Sequence, residues 1–205
     1  MDRAPRLLTT RLPRSPEGLV LVLHGGANRT GNTMVSPTQL SVLRMIPVAR
    51  RIARAGRGRL GVFRLLNSHR GWDTSHTPVM DVAWALEQLR ERHGEVPVCL
   101  VGHSLGGRAA LLAGDAPAVR SIVALNPWVY PTDHVDLHGR DVLVVHGDQD
   151  RIASIANASS VARRLAATAS VRFVTVDGGK HAMLRHGGEF ERAAADFVVE
   201  TLLPG

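Results

Sequence analysis

Short apolar runs alternate with segments of helical periodicity along most of this chain. Six runs rich in β-branched residues predict strands: Leu19–Leu23, Leu60–Leu65, Val96–Val101, Ser121–Leu125, Asp141–Val145 and Val171–Val176. Helices are predicted between them, roughly at Pro47–Ala55, Pro78–His93, Leu105–Gly114, Ala153–Ala167 and Phe190–Leu203. This alternation predicts βαβ units, so the expected fold class is α/β: a doubly wound, mainly parallel sheet with helices on both faces. Leu7–Leu12 is a candidate for one additional edge strand.

Length and composition fit a globular domain of this class. At 205 residues, with 44% hydrophobic and 21% charged residues, the chain is expected to form a single domain over residues 1–205. No apolar run approaches the roughly 18 residues of a membrane span, and the first residues lack the apolar block of a secretory signal. Cys99 is the only cysteine, which excludes an intramolecular disulfide. We therefore expect a cytoplasmic protein with no membrane partner.

The formal net charge of +7 raises the question of a nucleic-acid partner. The densest basic cluster, residues 48–59, has apolar residues at helical spacing, which is typical of a surface helix with a solvated basic face. No nucleic-acid-binding module and no interleaving of basic with aromatic residues accompanies it. The expected partner is therefore a small molecule and not a nucleic acid. We expect a monomer or a homodimer.

A glycine-flanked serine lies where the third predicted strand gives way to a helix. Gly102, Ser104 and Gly106 form the pattern G-x-S-x-G, on a turn that is expected to be strained and to expose the hydroxyl at the end of the sheet. The helix that begins at Leu105 directs its amides and its positive dipole end toward any negative charge that develops there. The motif alone arises by chance in many chains, so other strand ends must supply a base, an acid and an oxyanion site.

Three further strand ends carry polar or glycine-rich segments. The first strand runs into "HGGANRTGN" (24–32), whose glycines can expose backbone amides. The fifth ends at "HGDQDRI" (146–152), which contains Asp148 and Asp150, and the sixth is followed by His181. In a parallel sheet these ends meet at one edge. The chain order Ser, Asp, His is the one expected when a nucleophile elbow belongs to an α/β hydrolase.

These segments together resemble the α/β-hydrolase-fold serine hydrolases, especially small lidless esterases and enzymes similar to dienelactone hydrolase. The matching stretches are "LVLVLHGG", "GHSLGG", "LVVHGDQDRI" and "GGKHAM". The resemblance implies a catalytic triad of Ser104, Asp150 and His181. In the family pattern the second acid of the turn, followed by a β-branched residue, belongs to the triad, and Asp148 shapes the turn. Little chain separates Ser104 from Asp150, where larger members insert a cap domain, so no cap is expected.

The same resemblance assigns an oxyanion hole and a pocket. The amide of Leu105 and that of Gly26, with Ala27 as the alternative, would hold the oxyanion. Without a cap, loops must line the pocket, and its candidate apolar residues are Met34, Trp72, Trp128, Tyr130, Ile152 and Met183. His24 and His103, which flank these turns, are expected to brace loops, and His146, at the end of a strand, is expected to be structural.

No cofactor and no metal is expected. "HVDLH" (134–138) spaces two histidines as a zinc site would but lacks its glutamate, and "GRGRLG" (56–61) precedes a strand, where a dinucleotide-binding loop would follow one. The predicted function is hydrolysis of a carboxylic ester, with lactones and thioesters as further candidates, through an acyl-enzyme. An acyltransferase or lyase on the same fold, or a slow-turnover ligand-binding regulator, remains an alternative. The sequence does not identify the substrate.

Overall fold

The computed structural model describes residues 4–26 and 35–203. Their seven strands form one sheet in the order β1-β3-β2-β4-β5-β6-β7. The strands are β1 (Arg6–Arg11), β2 (Gly18–Leu23), β3 (Leu60–Leu66), β4 (Val98–His103), β5 (Val119–Leu125), β6 (Asp141–Gly147) and β7 (Ser170–Val176). Among these, β1 pairs antiparallel with β3, and every other pair is parallel. The predicted fold class and the candidate edge strand are confirmed.

Helices cover both faces of this sheet. They are α1 (Leu40–Leu43), α2 (Met45–Ala55), α3 (Thr77–His93), α4 (Leu105–Leu112), α5 (Ile155–Leu165) and α6 (Gly187–Leu202). Helices α3, α4 and α5 pack into one core cluster, and α2 and α6 pack into the other. Alternate residues of β2 supply the two cores: Leu21 faces the first and Val22 the second. A strand buried on both faces is continuously apolar, which is why the strand pattern was so clear in the sequence.

Some boundaries differ from the sequence prediction. Strand β4 begins and ends two residues later than predicted, because Gly102 and His103 pair in register with Ala124 and Leu125 of β5. The sequence motif predicted Gly102 on the turn, but it lies in the strand. Helix α1 was not predicted, and α6 begins at Gly187, three residues before its predicted start.

The connection from β5 to β6 contains no helix or strand, so no cap is inserted there. Within residues 4–26 and 35–203, no helix is both long enough and apolar enough to cross a bilayer.

Candidate active site

Ser104 occupies a sharp turn between β4 and α4. Its backbone angles, φ 56° and ψ −121°, lie in a region that side-chain-bearing residues rarely adopt. The turn is held from three directions: the Ser104 amide donates to the carbonyl of Leu125 (3.1 Å), and its carbonyl accepts from the amides of Arg108 and Trp128 (both 3.1 Å). The conformation is therefore fixed by α4 and by the loop after β5, and the hydroxyl is held at the end of the sheet.

Gly106 allows this turn to approach the first strand. A Cβ atom at Gly106 would lie 2.6 Å from the carbonyl oxygens of Leu23 and His24. Contacts this short do not occur for real side chains, so only glycine lets α4 pack against the end of β2. The serine turn and the glycine-rich loop after β2 are brought together in this way.

His181 connects Ser104 to Asp150. Its Nε2 lies 3.0 Å from Ser104 Oγ, and its Nδ1 lies 2.8 Å from Asp150 Oδ2. The other Asp150 oxygen accepts from the amides of Ile152 (2.8 Å) and Ala153 (2.9 Å). Burial opposes ionisation of Asp150, but the hydrogen bonds from His181, Ala153 and Ile152 outweigh it and lower the pKa of the carboxyl. An ionised Asp150 can only accept, so Nδ1–H of His181 donates to it, and Nε2 of the same ring faces the hydroxyl of Ser104.

Asp148, the alternative acid, lies elsewhere. Its side chain is exposed, and its amide donates to the carbonyl of Val176 (3.2 Å), which joins the turn to β7. Of the two acids in this turn, the structure brings Asp150 and not Asp148 against His181.

Buried His103 supports the His181 loop from below. Its Nε2 lies 2.8 Å from the carbonyl oxygen of His181, and the two rings are 4.9 Å apart. Burial, with the neighbouring His181, lowers the pKa of His103 to about 3, so its ring is neutral. Because the carbonyl can only accept, Nε2–H donates, and His103 positions the backbone of His181.

His146 and His24 support the neighbouring loops. His146 Nε2 lies 3.2 Å from the carbonyl of Ala153, beside Asp150, and burial lowers the pKa of this ring. His24 Nδ1 lies 2.6 Å from the carbonyl of Gly25, and its Nε2 accepts from the amide of Asn67 (3.2 Å). Burial lowers the pKa of His24 as well. Each neutral ring therefore joins the end of its strand to a neighbouring loop by hydrogen bonds.

Asn126 is a site residue that the sequence did not single out. It is fully buried at the end of β5, with φ 42°. Its Oδ1 accepts from the amide of Gly147 (2.8 Å), and its Nδ2 donates to the carbonyls of Lys180 (3.2 Å) and His181 (3.4 Å). One side chain therefore ties the acid turn to the histidine loop. Its position directly after a buried strand was the available signal.

The oxyanion candidates lie beside Ser104. Gly26 and Leu105 both line the cavity in front of the serine. Leu105 is the first residue of α4, so no carbonyl of its own helix can accept from its amide. His24 fixes the Gly25 carbonyl, and in a trans peptide the amide of Gly26 points the opposite way. The alternative Ala27 and the pocket candidate Met34 lie outside the described residues.

The described residues form a cavity of about 1120 Å³ in front of Ser104. Four of the predicted apolar residues line it: Trp72, Trp128, Tyr130 and Ile152. Met183 does not, because the chain turns at φ 52° there and packs the side chain, only 6% exposed, into the core with Phe190. That prediction was wrong.

Three arginines in the cavity lining were also missed: Arg44, Arg70 and Arg108. Arg108 is almost fully buried and makes a bidentate ion pair with Asp133 (2.8 and 2.7 Å). Its guanidinium lies 4.1 Å from the centre of the Trp72 ring and 4.7 Å from that of Tyr130. These contacts hold the aromatic walls together.

A metal site is not formed by the described residues, because none of their His, Cys, Asp and Glu side chains gather in groups of three or more that could hold an ion. His134 and His138, the two histidines of "HVDLH", are both exposed.

Residues 14–140, more than half of the chain, match the family model described as serine aminopeptidase, S33. The chain belongs to the serine aminopeptidase S33 family. This is a family of serine hydrolases, and the S33 match includes Ser104 and its turn. It ends before Asp150 and His181, so those two positions rest on the geometry described above.

Solved structures share the fold of this S33 chain. An alpha-beta serine hydrolase homologue from Coxiella burnetii superposes with a TM-score of 0.70 at 18% identity, over 95% of this chain and 91% of that one. A serine hydrolase without a lid from Xanthomonas campestris gives 0.67 at 19%, over 98% and 96%. Est1E from Butyrivibrio proteoclasticus, solved with ferulic acid bound, gives 0.73 at 15%, over 97% and 95%. The S33 chain has the α/β-hydrolase fold without a lid.

Proposed function

We propose that this protein hydrolyses carboxylic esters, with Ser104 as nucleophile, His181 as general base and Asp150 as the acid that orients it. The observation that carries the proposal is the unbroken hydrogen-bonded chain from Ser104 Oγ through the His181 ring to Asp150, with distances of 3.0 and 2.8 Å. An ionised Asp150 accepts a hydrogen bond from Nδ1–H of His181, so Nε2 is the nitrogen that can accept the proton of Ser104.

The reaction follows from this arrangement. Ser104 Oγ attacks the ester carbonyl carbon while its proton passes to His181 Nε2, and Asp150 stabilises the resulting imidazolium. The amides of Leu105 and Gly26 are proposed to hold the oxyanion. The C–O bond to the alcohol then breaks, and the alcohol takes the proton from His181. Water, deprotonated in turn by His181, attacks the carbonyl carbon of the acyl-Ser104 ester. The bond from that carbon to Ser104 Oγ breaks, Oγ takes the proton back from His181, and the acid is released.

The charge of the cavity favours esters over peptides with a free amino terminus. An aminopeptidase has to hold a cationic α-ammonium group close to the scissile bond. The described lining carries three arginines, of which Arg108 is paired with Asp133, and a single acidic residue, Asp73, which is hydrogen-bonded to Thr77. Like charges repel, so this wall disfavours an ammonium group.

The test is hydrolysis of p-nitrophenyl acetate and butyrate by matched single variants. Ser104→Ala and His181→Ala are expected to lower kcat by about 10⁴-fold or more, and Asp150→Asn by about 10⁴-fold because it favours the wrong imidazole tautomer. Asp148→Asn is the matched control and should lower kcat far less, because its side chain is exposed. An inactive Asp148→Asn beside an active Asp150→Asn would reverse the acid assignment. An active Ser104→Ala would remove the proposal altogether.

A further inference from the structure

Two arginines in the cavity wall lack any neutralising partner among the described residues. Arg44 lies between α1 and α2, and Arg70 lies in the loop after β3. Both line the cavity with Ser104. The Nε atom of each is buried without a hydrogen-bond acceptor in residues 4–26 and 35–203. Neither guanidinium enters an ion pair in that part of the chain.

Two carboxylates at the cavity have other partners. Asp133 is paired bidentately with Arg108. Asp73, the one acidic residue in the described lining, accepts from the amide (2.8 Å) and the hydroxyl of Thr77. The segment 27–34, ANRTGNTM, contains no Asp or Glu, so its sequence cannot supply a counter-ion.

Both side chains line the same cavity as Ser104. The Cγ atom of Arg70 is 4.0 Å from the position a Cβ would take on Gly26, the proposed oxyanion donor. The charge of Arg44 reaches His103, the residue before Ser104, and is one of the causes that lower the pKa of that ring, after burial and His181. A substrate bound at Ser104 therefore shares its cavity with the side chains of Arg44 and Arg70.

The desolvation of Arg44 indicates that an anionic partner is missing. Burial lowers its pKa, with no acidic neighbour to offset the loss of water. A desolvated cation without a partner is unfavourable, and an anionic group placed beside it relieves that cost. Guanidinium groups match carboxylates in shape as well as in charge, because their N–H groups form a planar fork.

We propose that Arg44 and Arg70 form an anion-binding subsite, and that the preferred substrates are esters carrying a carboxylate close to the scissile bond. The inference rests on the proposed ester hydrolysis and narrows its substrate class to anionic esters. The net charge of +7 acts in the same direction, since it attracts anions toward the protein from a distance.

Two substrate pairs test the subsite, each comparing a carboxylate with its neutral carboxamide. The acyl side is tested with p-nitrophenyl hydrogen adipate against p-nitrophenyl adipamate, and the alcohol side with 4-carboxyphenyl acetate against 4-carbamoylphenyl acetate. In at least one pair the carboxylate is expected to have the higher kcat/KM, by about tenfold or more, the effect of one charge-assisted hydrogen bond. Arg44→Gln and Arg70→Gln should each lower that ratio by about tenfold. A ratio near one in both pairs would overturn the proposal.

Arg50→Gln is the matched control, because it removes the same charge from an exposed residue of α2, the helix that follows Arg44, outside the cavity. It should leave the carboxylate-to-carboxamide ratio unchanged. An equal fall in Arg50→Gln would mean that the overall field of the protein, and not a subsite, selects anions.

Calorimetry separates failure of the subsite from failure of the esterase proposal. In the Ser104→Ala protein, adipic acid monoamide is expected to bind about tenfold more tightly than adipamide, and Arg44→Gln or Arg70→Gln in that background should abolish the difference. This measurement needs no turnover. If the wild type cleaves neither pair, ester hydrolysis fails while the binding result still decides the subsite. If it cleaves both pairs equally and binding does not distinguish the two ligands, the subsite fails and ester hydrolysis stands.

Discussion

Ser104 has backbone angles that glycine adopts freely and alanine does not. Ser104→Gly is therefore expected to be more stable than Ser104→Ala by about 1 kcal/mol, although both lack the proposed nucleophile. Urea denaturation of the two variants measures the difference. The comparison is repeated at Ser170, an exposed residue at the start of β7, where glycine should be less stable than alanine. A glycine penalty of the same sign at both positions would show that the Ser104 turn is unstrained.

The hydrogen bonds of the Asn126 side chain lead to a second prediction. Asn126→Gly tolerates the positive φ but removes the hydrogen bonds to Gly147, Lys180 and His181. It is expected to lose about 2 kcal/mol of stability from the unpaired backbone groups, and about 10²-fold in kcat because the acid turn and the histidine loop are no longer held together. Ester kinetics and urea denaturation test both effects. A variant that is destabilised but fully active would show that Asn126 supports the fold alone.

The residues that the sequence located, and those it missed, differ in how their roles arise. Ser104, Asp150 and His181 each follow a strand within a local motif, so their convergence at one sheet edge could be foreseen. Arg44 could not be identified, because it is distinguished by having no ion-pair partner among the described residues, and ion pairs form only when the chain folds. Met183 was misplaced for the complementary reason: a single backbone turn sends its side chain into the core.

Two glycines in equivalent helical positions give a prediction at the scale of elements. Gly106 is the second residue of α4 and Gly188 the second of α6. Gly106→Ala would press a methyl group onto the end of β2 and is expected to lower stability by about 2 kcal/mol or more, and kcat with it. Gly188→Ala meets no atom within 4 Å and should raise stability by about 0.5 kcal/mol. Thermal unfolding and ester kinetics measure the stability and kcat of both variants. If Gly106→Ala changed them as little as Gly188→Ala does, α4 would be free to shift away from β2.

Strands were easier to locate than helix ends. The central strands are continuously apolar, and nothing else in the sequence resembles them. The end of β4 was placed too early because Gly102 and His103 have little strand propensity and are held there by pairing with β5. The start of α6 was placed too late because Gly187 and Gly188 are poor helix formers. The four residues of α1 are too few to show a helical period.

The stability of the whole molecule should depend on pH through its buried histidines. Burial lowers the pKa of His24, His103 and His146, that of His103 to about 3. In the unfolded chain these rings titrate near about 6.5, so below that pH the unfolded state binds more protons than the folded state. Stability is thus present above about pH 6.5 and is lost as the pH falls, by up to about 1.4 kcal/mol per pH unit for each ring. Urea midpoints at about pH 7.5, 6 and 5 measure the slope.

His103→Gln isolates one of these contributions. The glutamine can still donate to the His181 carbonyl but cannot titrate. The stability of the variant should therefore fall less steeply as the pH is lowered, because unfolding takes up about one proton fewer than in the wild type. His134→Gln changes an exposed histidine and should keep the wild-type slope. Identical slopes for His103→Gln and the wild type would show that the buried ring is not the source of the acid sensitivity.

The position of β6 and β7 at one side of the sheet has a consequence for biosynthesis. Chains fold from the amino terminus as they leave the ribosome. Ser104, its turn and the central strands β2, β3 and β4 emerge first, and β4 can pair with β2 before β6 exists. Asp150 and His181 arrive with the last strands. The proposed nucleophile is therefore made early and the proposed general base late, so we expect no ester hydrolysis by the nascent chain until the loop after β7 has been made.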